Sequence, residues 1–179
     1  MGEDFRVRYF QPEDVVSVQR INQVFLPEHY PIYFFHENHR RFPKAFLVAE
    51  INGRIVGYVM CRVEKAFLWR KTLNLGHVLS IAVDKNYRRK GIGKALMTEA
   101  ERNLRSEYGC NLIYLEVRVS NEPAINLYRK LGYRRLGVIP RYYHDGEDAY
   151  LMFKIVSPDT SERDVIESLG NKVRETELF

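Results

Sequence analysis

Residues 84–96 read Asp84-Lys85-Asn86-Tyr87-Arg88-Arg89-Lys90-Gly91-Ile92-Gly93-Lys94-Ala95-Leu96, and they join an apolar, strand-like run, Val78 to Val83, to a strongly helical segment. Gly91 and Gly93 let the backbone of this turn approach a ligand closely, because no Cβ stands in the way. The helix that begins here directs its first unpaired N–H groups and the positive end of its dipole into the turn. The stretch therefore predicts an anion site, and a pyrophosphate fits it.

Two common nucleotide motifs are excluded by spacing. A Walker A loop needs a Gly five residues before Gly93 and a Ser or Thr after Lys94, and the chain has Arg88 and Ala95 at these places. A dinucleotide fingerprint needs Gly or Ala three places after Gly93, where the chain has Leu96. An R-x-x-G-x-G pattern is left, and its spacing alone is also compatible with an ordinary basic glycine turn.

A second motif lies one helix and one strand downstream, where residues 121–133 read Asn-Glu-Pro-Ala-Ile-Asn-Leu-Tyr-Arg-Lys-Leu-Gly-Tyr. Together the two motifs resemble the GCN5-related N-acetyltransferase (GNAT) superfamily, over roughly residues 5–155. Four further segments are similar to the catalytic subunits of A-type N-terminal α-amine acetyltransferases: residues 26–30, 76–78, 114–121 and 142–150. The resemblance implies acetyl-coenzyme A as cofactor and protein N-terminal peptides as substrate.

Hydrophobic periodicity predicts the element order β-α-α-β-β-β-α-β-α-β-β. Asn52-Gly53 predicts a hairpin turn, residues 65–74 are predicted as a loop, and a long helix follows Gly93. The strands before and after that helix should be parallel, because a helical crossover joins them. The expected fold class is α/β (α+β): the GNAT fold, a mixed, mostly antiparallel seven-stranded sheet flanked by helices, with a central parallel pair that splays open around the acyl arm.

Length and composition indicate one globular domain. The chain has 179 residues, of which 45% are hydrophobic and 28% charged. We expect a GNAT domain over residues 1–156 and a helical or flexible tail over 157–179. No apolar run is long enough to cross a membrane and the N-terminus has no signal-peptide pattern, so we expect a cytoplasmic protein that does not bind membranes.

Cysteine and charge content predict no metal and no specific nucleic-acid ligand. Cys61 and Cys110 stand apart from any ligand cluster and are expected to be reduced thiols. The net charge is +5, from 28 basic and 23 acidic residues. The basic clusters flank the two motifs, so the phosphates of coenzyme A explain them more simply than nucleic acid does, although contact with ribosomal RNA stays open.

The family resemblance implies a set of coenzyme-binding residues. They come from the strand whose backbone would stabilise the carbonyl oxygen, from the glycine turn and from the second motif: Ile81, Ala82, Val83, Arg88, Arg89, Gly91, Gly93, Lys94, Ala95, Asn121 and Tyr128. Asn121 is also expected to cap the helix that it precedes.

Three residues are candidates for proton transfer. His77 and Glu116 each lie on one of the two central strands, and the resemblance suggests that they hold a water that takes the proton of the amine. An α-amine has a pKa of about 7.7–8, so a mild base suffices. Tyr128 is a suitable donor to the departing thiolate. A strand His or Glu is also compatible with a structural role, and Tyr128 with a core aromatic.

Four residues are candidates for peptide binding. Similarity to the N-terminal acetyltransferases places Glu28 at the first residue of the peptide, where it would favour small or hydroxylated side chains, and Tyr30, Tyr142 and Tyr143 at the peptide entrance.

Three functions compete on this sequence. The leading one is acetyl-CoA-dependent acetylation of Ser-, Ala- or Thr-type protein N-termini, with Met starts also open, by direct transfer in a ternary complex. A ribosomal-protein or lysine ε-amine acetyltransferase of the same fold is the alternative. An inactive subunit that uses the fold for binding would be expected to lack the turn or the acid and base candidates. An auxiliary subunit or the ribosome is a further partner that the resemblance allows.

Overall fold

A computed structural model describes residues 4–178 of the chain. Residues 1–3 and 179, the outermost residues of the predicted domain and tail, lie outside the described residues. The described part forms seven strands and five α-helices: β1 Arg6–Tyr9, α1 Val15–Phe25, α2 Ile32–Arg41, β2 Phe46–Ile51, β3 Arg54–Phe67, β4 Thr72–Val83, α3 Ile92–Ser106, β5 Leu112–Arg118, α4 Glu122–Lys130, β6 Arg134–Ile139, β7 Ala149–Ile155 and α5 Glu162–Leu169.

The strands form one sheet in the order β1-β2-β3-β4-β5-β7-β6. The sheet is mixed and mostly antiparallel, with one parallel pair. That pair is β4 and β5, because α3 connects them as a crossover. The predicted fold class is confirmed, and the predicted element order matches the observed one.

One predicted loop is wrong. Residues 65–74 were expected to lack regular structure, but β3 continues to Phe67 and β4 begins at Thr72, so the connection is only residues 68–71. Leu73 and Leu75 are buried, as the inward positions of a strand should be. The alternation is hidden in the sequence because Phe67, the last residue of β3, is 79% exposed despite being apolar.

The first of two compact units consists of the residues up to Arg62 together with Val78–Glu107. Aromatic side chains from helices and strands fill its core, with Phe10 stacked on Phe46 at 4.0 Å between ring centroids. Phe35 and Tyr58 pack edge-to-face in the same core. This unit contains the glycine turn and the loop that carries Glu28.

The second unit consists of Val63–His77 and the residues from Tyr108 onward. Its core includes Leu112, Tyr114 and Phe153 and receives Val165 and Leu169 from α5. After α5 the chain follows the outer strand of the sheet: the N–H of Arg174 donates to Val138 and that of Glu177 to Leu136, at 3.0 and 2.8 Å. The C-terminal tail is therefore a packed part of this unit, and it covers a strand edge that would otherwise be exposed.

Candidate active site

The glycine turn of the first unit leads into α3, whose N-terminus has no capping hydrogen bond to a side chain. Gly91 has a φ of 81°, in the left-handed region that favours glycine, and precedes the first residue of α3. The first bond of the helix runs from the N–H of Ala95 to the carbonyl of Gly91, at 3.0 Å. The N–H groups of Ile92, Gly93 and Lys94 come before this bond and have no acceptor within the helix. They form an anion-binding helix end of the predicted kind.

Basic side chains surround this helix end. Arg88 donates from Nε to the carbonyl of Val83 at 2.9 Å, and its guanidinium lies 5.5 Å from the ring centre of Phe25. Arg88 is therefore fixed against the end of β4, and like Arg89 and Lys94 it is exposed. A Cβ added at Gly91 would have no atom within 4 Å, so the space beside the turn is open.

The β4 residues predicted to face the acyl group are Ile81, Ala82 and Val83, and they lie just before the turn. Their strand packs closely on β3, because a Cβ at Gly57 would come within 3.1 Å of the carbonyl oxygen of Ala82. The close approach fixes the position of this part of β4.

In the second unit, His77 contacts Glu116 directly. Nε2 of His77 lies 2.7 Å from Oε2 of Glu116, and Nδ1 lies 3.0 Å from Oε2 of Glu64. Only 9% of the His77 side chain and 10% of the Glu116 side chain are exposed. The structure thus brings the two predicted residues together by a direct hydrogen bond, and their predicted role of holding a water that takes the proton of the amine stays a prediction.

The ring of His77 also stacks on Tyr114, with 4.2 Å between centroids and 16° between planes. The hydroxyl of Tyr114 donates to Oε1 of Glu64. Burial alone acts to lower the pKa of His77, but the hydrogen bonds to Glu116 and Glu64 outweigh it and raise that pKa above its ordinary value. The cluster of Glu64, His77, Tyr114 and Glu116 therefore favours an imidazolium.

The second motif forms α4 as predicted. The side chain of Asn121 accepts a hydrogen bond from the N–H of Ala124 at 3.3 Å, so its predicted capping role is confirmed. Tyr128 is 5% exposed, and its ring lies 5.9 Å from that of Tyr133. Burial fits a core aromatic as well as an internal proton donor, so the predicted catalytic role of Tyr128 stays a prediction.

The loop that carries Glu28 is held by a buried amide. Nδ2 of Asn22 donates to the carbonyl of Glu28, and Oδ1 accepts from the N–H of Tyr30, both at 3.0 Å. The same Nδ2 lies 3.1 Å from the hydroxyl of Tyr58. Tyr30 in turn donates from its hydroxyl to the carbonyl of Leu79 on β4, at 3.3 Å. The loop is therefore positioned from inside the unit.

Tyr142 and Tyr143 lie in the connection between β6 and β7, and their rings pack edge-to-face at 4.9 Å. The guanidinium of Arg118 lies 4.0 Å from the ring centre of Tyr143 and 2.7 Å from Oε2 of Glu147. The carboxylate of Glu147 also accepts from the backbone N–H of Ser120 at 3.0 Å. Arg118 and Glu147 thus tie the tyrosine loop to the segment before α4.

Sequence reasoning missed the residues that hold the predicted ones in place. Asn22 gave a signal, since it is a polar residue on the apolar face of α1. Glu64 gave none, because its contact with His77 depends on the register of β3 and β4.

Among residues 4–178, no group of three or more His, Cys, Asp or Glu side chains could hold a metal ion. Within the same range, no helix has the length and apolar character needed to cross a membrane.

Comparison with known proteins adds the following. Residues 15–133 match the family described as Acetyltransferase (GNAT) family. The chain is 48% identical over 155 residues, 84% of this chain and 93% of the relative, to an N-alpha-acetyltransferase of Sulfurisphaera tokodaii. It is 37% identical over 150 residues, 83% of this chain and 76% of the relative, to the N-terminal acetyltransferase A complex catalytic subunit NAA10 of Arabidopsis thaliana. Its fold is similar to that of Ard1 from Thermoplasma volcanium, with a TM-score of 0.73 and 35% identity over 86% of this chain and 98% of that one.

Proposed function

The chain belongs to the GNAT family of acetyltransferases, and from this premise we propose that it transfers an acetyl group from acetyl-coenzyme A to the α-amine of protein N-termini. One observation carries the proposal: the buried hydrogen bond between His77 and Glu116, on the two parallel strands β4 and β5. Acetyl transfer to an amine requires that the amine first lose a proton, and this pair can accept one. The names of the relatives in Sulfurisphaera tokodaii and Arabidopsis thaliana support the α-amine as acceptor.

The glycine turn fits the coenzyme. It offers three unpaired backbone N–H groups, a glycine in the left-handed region and open space beside it, which are the features that a pyrophosphate needs. In this proposal the turn holds the phosphates, with Arg88, Arg89 and Lys94 supplying charge and Gly91, Gly93 and Ala95 supplying backbone. Asn121 and Tyr128 contact the coenzyme from α4. The bound coenzyme supplies the acetyl group in activated form, as a thioester.

The pair of His77 and Glu116 needs to be only a mild base. The α-amine has a pKa of about 7.7–8, whereas a Lys side chain has one of about 10.4. Near neutral pH an appreciable fraction of α-amines is already neutral, so a carboxylate hydrogen-bonded to an imidazole is a sufficient base. The backbone of Ile81, Ala82 and Val83 would stabilise charge on the carbonyl oxygen. Tyr128 would return a proton to the leaving thiolate.

The acceptor peptide is proposed to meet two tyrosine-bearing loops. Glu28 and Tyr30 lie in the loop that Asn22 holds, and Tyr142 and Tyr143 in the loop that Arg118 holds. A carboxylate at the first residue of the peptide would favour Ser, Ala and Thr over longer apolar side chains. This preference is the specific part of the proposal.

Lysine or ribosomal-protein acetylation is the alternative within the family. A lysine acceptor would need a stronger base than the α-amine does, because its pKa is higher by more than two units. One experiment separates the two: the pure protein is incubated with acetyl-CoA and peptides that start with Ser, Ala, Thr or Met, together with an N-terminally blocked peptide that contains an internal Lys. Acetylation of the free N-termini alone is expected, and acetylation of the blocked peptide alone would overturn the proposal.

Two further elements belong to the proposal. We place the enzyme in the cytoplasm, where new protein N-termini leave the ribosome. An auxiliary subunit or the ribosome is the partner considered, and the description of the Arabidopsis thaliana relative as a catalytic subunit of a complex supports it. Activity of the pure chain in the peptide assay would show that no partner is needed for catalysis.

A further inference from the structure

His77 is enclosed between two carboxylates on different strands. Glu64 on β3 faces Nδ1 at 3.0 Å, and Glu116 on β5 faces Nε2 at 2.7 Å. A neutral imidazole has one N–H and can donate to only one of these oxygens, which leaves a lone pair facing the other carboxylate. The imidazolium donates to both. While both carboxylates are ionised, only the charged ring can donate a hydrogen bond to each of them.

Glu64 is itself held in place. The hydroxyl of Tyr114 donates to its Oε1, while Oε2 accepts from His77, so the two oxygens have separate partners. The ring of Tyr114 is stacked on the imidazole, so one residue orients both members of the contact. The ammonium of Lys172 lies 5.9 Å from the centre of the Tyr114 ring. Two carboxylates and a phenol ring thus contact His77, and the ammonium of Lys172 lies beyond that ring.

We propose that Glu64 is a positioning residue for the acetyltransferase reaction: it keeps His77 protonated, so that Glu116, and not the imidazole, accepts the proton of the substrate amine. This inference rests on the proposed function. An N–H bond of the α-ammonium group breaks, its proton passes to the carboxylate of Glu116, and the nitrogen keeps the electron pair with which it attacks the acetyl carbon. His77 stays an imidazolium throughout and holds the carboxylate in place.

Two substitutions should shift this cluster in opposite directions. Glu64→Gln removes one of the two charges that favour the imidazolium, so His77 should lose its proton at a lower pH. Tyr114→Phe keeps the stacked ring but removes the hydrogen bond that delocalises the charge of Glu64, so His77 should hold its proton to a higher pH. A general loosening of the cluster gives no reason for opposite shifts, and the pH profile of kcat/KM separates a role in the reaction from a purely structural contact. Glu162→Gln is a matched control, since Glu162 forms an exposed ion pair with Arg134 in the same unit.

The test has two readouts. NMR titration of histidine-labelled protein follows the ring of His77 directly, and the signal is assigned among the five histidines by its loss in His77→Asn. The pH profile of kcat/KM follows the working form of the enzyme. For Glu64→Gln we expect both the NMR midpoint and the alkaline limb of the profile to move down by about one pH unit, a tenfold change in proton affinity. Glu162→Gln should leave both unchanged.

Failure of this inference differs from failure of the proposed function. A wild-type protein that acetylates no α-amine, in any assay above, would overturn the function, while the NMR midpoints would still report on Glu64. An active wild-type enzyme whose His77 midpoint and alkaline limb are the same in Glu64→Gln would overturn the inference alone. A shift in the NMR midpoint without a shift in the kinetic limb would also overturn it, because the charge of His77 would then not matter to the reaction.

Discussion

Asn22, a fully buried residue of α1, donates a hydrogen bond of 3.0 Å from its side chain to the backbone carbonyl of Glu28. Its other partners are the N–H of Tyr30 and the hydroxyl of Tyr58, and Tyr58 also shares a hydrogen bond of 2.6 Å with Ser80 on β4. One amide therefore connects the loop proposed to bind the peptide with the strand proposed to face the acyl group. Both positions depend on it.

The first prediction is that Asn22→Ala weakens both stability and peptide use. The substitution leaves buried polar groups without a partner, each at a cost of about 1–3 kcal/mol. We expect a lower urea midpoint and a higher KM for Ser-starting peptides, with little change in acetyl-CoA affinity. Asn38→Ala is the matched control, because Asn38 is also a buried helical amide of this unit and donates to the carbonyl of Cys61. Asn38→Ala should lower stability but leave the KM for the peptide unchanged. An equal rise in KM in both variants would contradict the prediction.

The glycine turn provides the second prediction. Gly91→Val should weaken acetyl-CoA binding at least tenfold, because its side chain enters the open space beside the turn and the backbone leaves the left-handed region. Gly53→Val is a close control: Gly53 has a φ of 77°, also has nothing within 4 Å of an added Cβ, and lies in the β2–β3 hairpin turn. Calorimetry should give normal acetyl-CoA affinity for Gly53→Val despite similar strain. Normal acetyl-CoA affinity in Gly91→Val would show that the coenzyme phosphates do not bind at this turn.

Much of the fold was predictable because its signals are local. Asn52-Gly53 adopts the positive φ values of a hairpin turn, and the apolar face of α3 has helical spacing. The crossover through α3 required β4 and β5 to be parallel. These features depend on neighbouring residues or on chain connectivity, both of which the sequence contains.

The candidate site was predictable only in part, because several contacts depend on strand register. The proximity of His77 and Glu116 followed from their positions on adjacent strands. Glu64 lies on β3, 13 residues before His77 on β4. Because the sequence predicts a loop over residues 65–74, the predicted strands are too short to show that Glu64 lies beside the imidazole. The exposed Phe67 breaks the alternation that marks a strand, and the exposed Trp69 in the connection adds a second apolar residue without a buried partner position.

The third prediction concerns the base. Glu116→Gln keeps the shape of the side chain but removes its ability to take a proton, so kcat should fall by roughly 10²-fold near neutral pH. The deficit should shrink as pH rises, because the α-amine, with a pKa of about 7.7–8, then loses its proton without help. Rates measured from pH 6.5 to 9.5 test this. A deficit of the same size at every pH would mean that Glu116 positions the peptide instead.

The fourth prediction is that His77 makes stability fall as pH rises. Burial opposes charge on the ring, yet the hydrogen bonds to Glu116 and Glu64 raise its pKa in the folded protein above the ordinary value of 6.5. The folded state then binds this proton more tightly than the unfolded chain does. Its contribution is complete below about pH 6.5 and is lost as pH rises through the raised pKa. Urea unfolding at several pH values should show a steeper decline for wild type than for His77→Asn, and equal slopes would argue against a charged His77.

The last prediction tests whether Glu28 meets the first residue of the peptide. Glu28→Ala should lower kcat/KM for Ser- and Ala-starting peptides by about 1.5–3 kcal/mol, the usual contribution of a hydrogen bond to a charged group. Met-starting peptides should lose less, because a long apolar side chain gains room when the carboxylate is removed. The ratio of Met to Ser activity therefore rises, while acetyl-CoA affinity stays constant. Glu37→Ala removes an exposed carboxylate of the same unit, paired with Arg40, and should change neither quantity. If the ratio is constant and coenzyme affinity falls in Glu28→Ala, then Glu28 serves the coenzyme site or the fold, and the preference for small first residues needs another source.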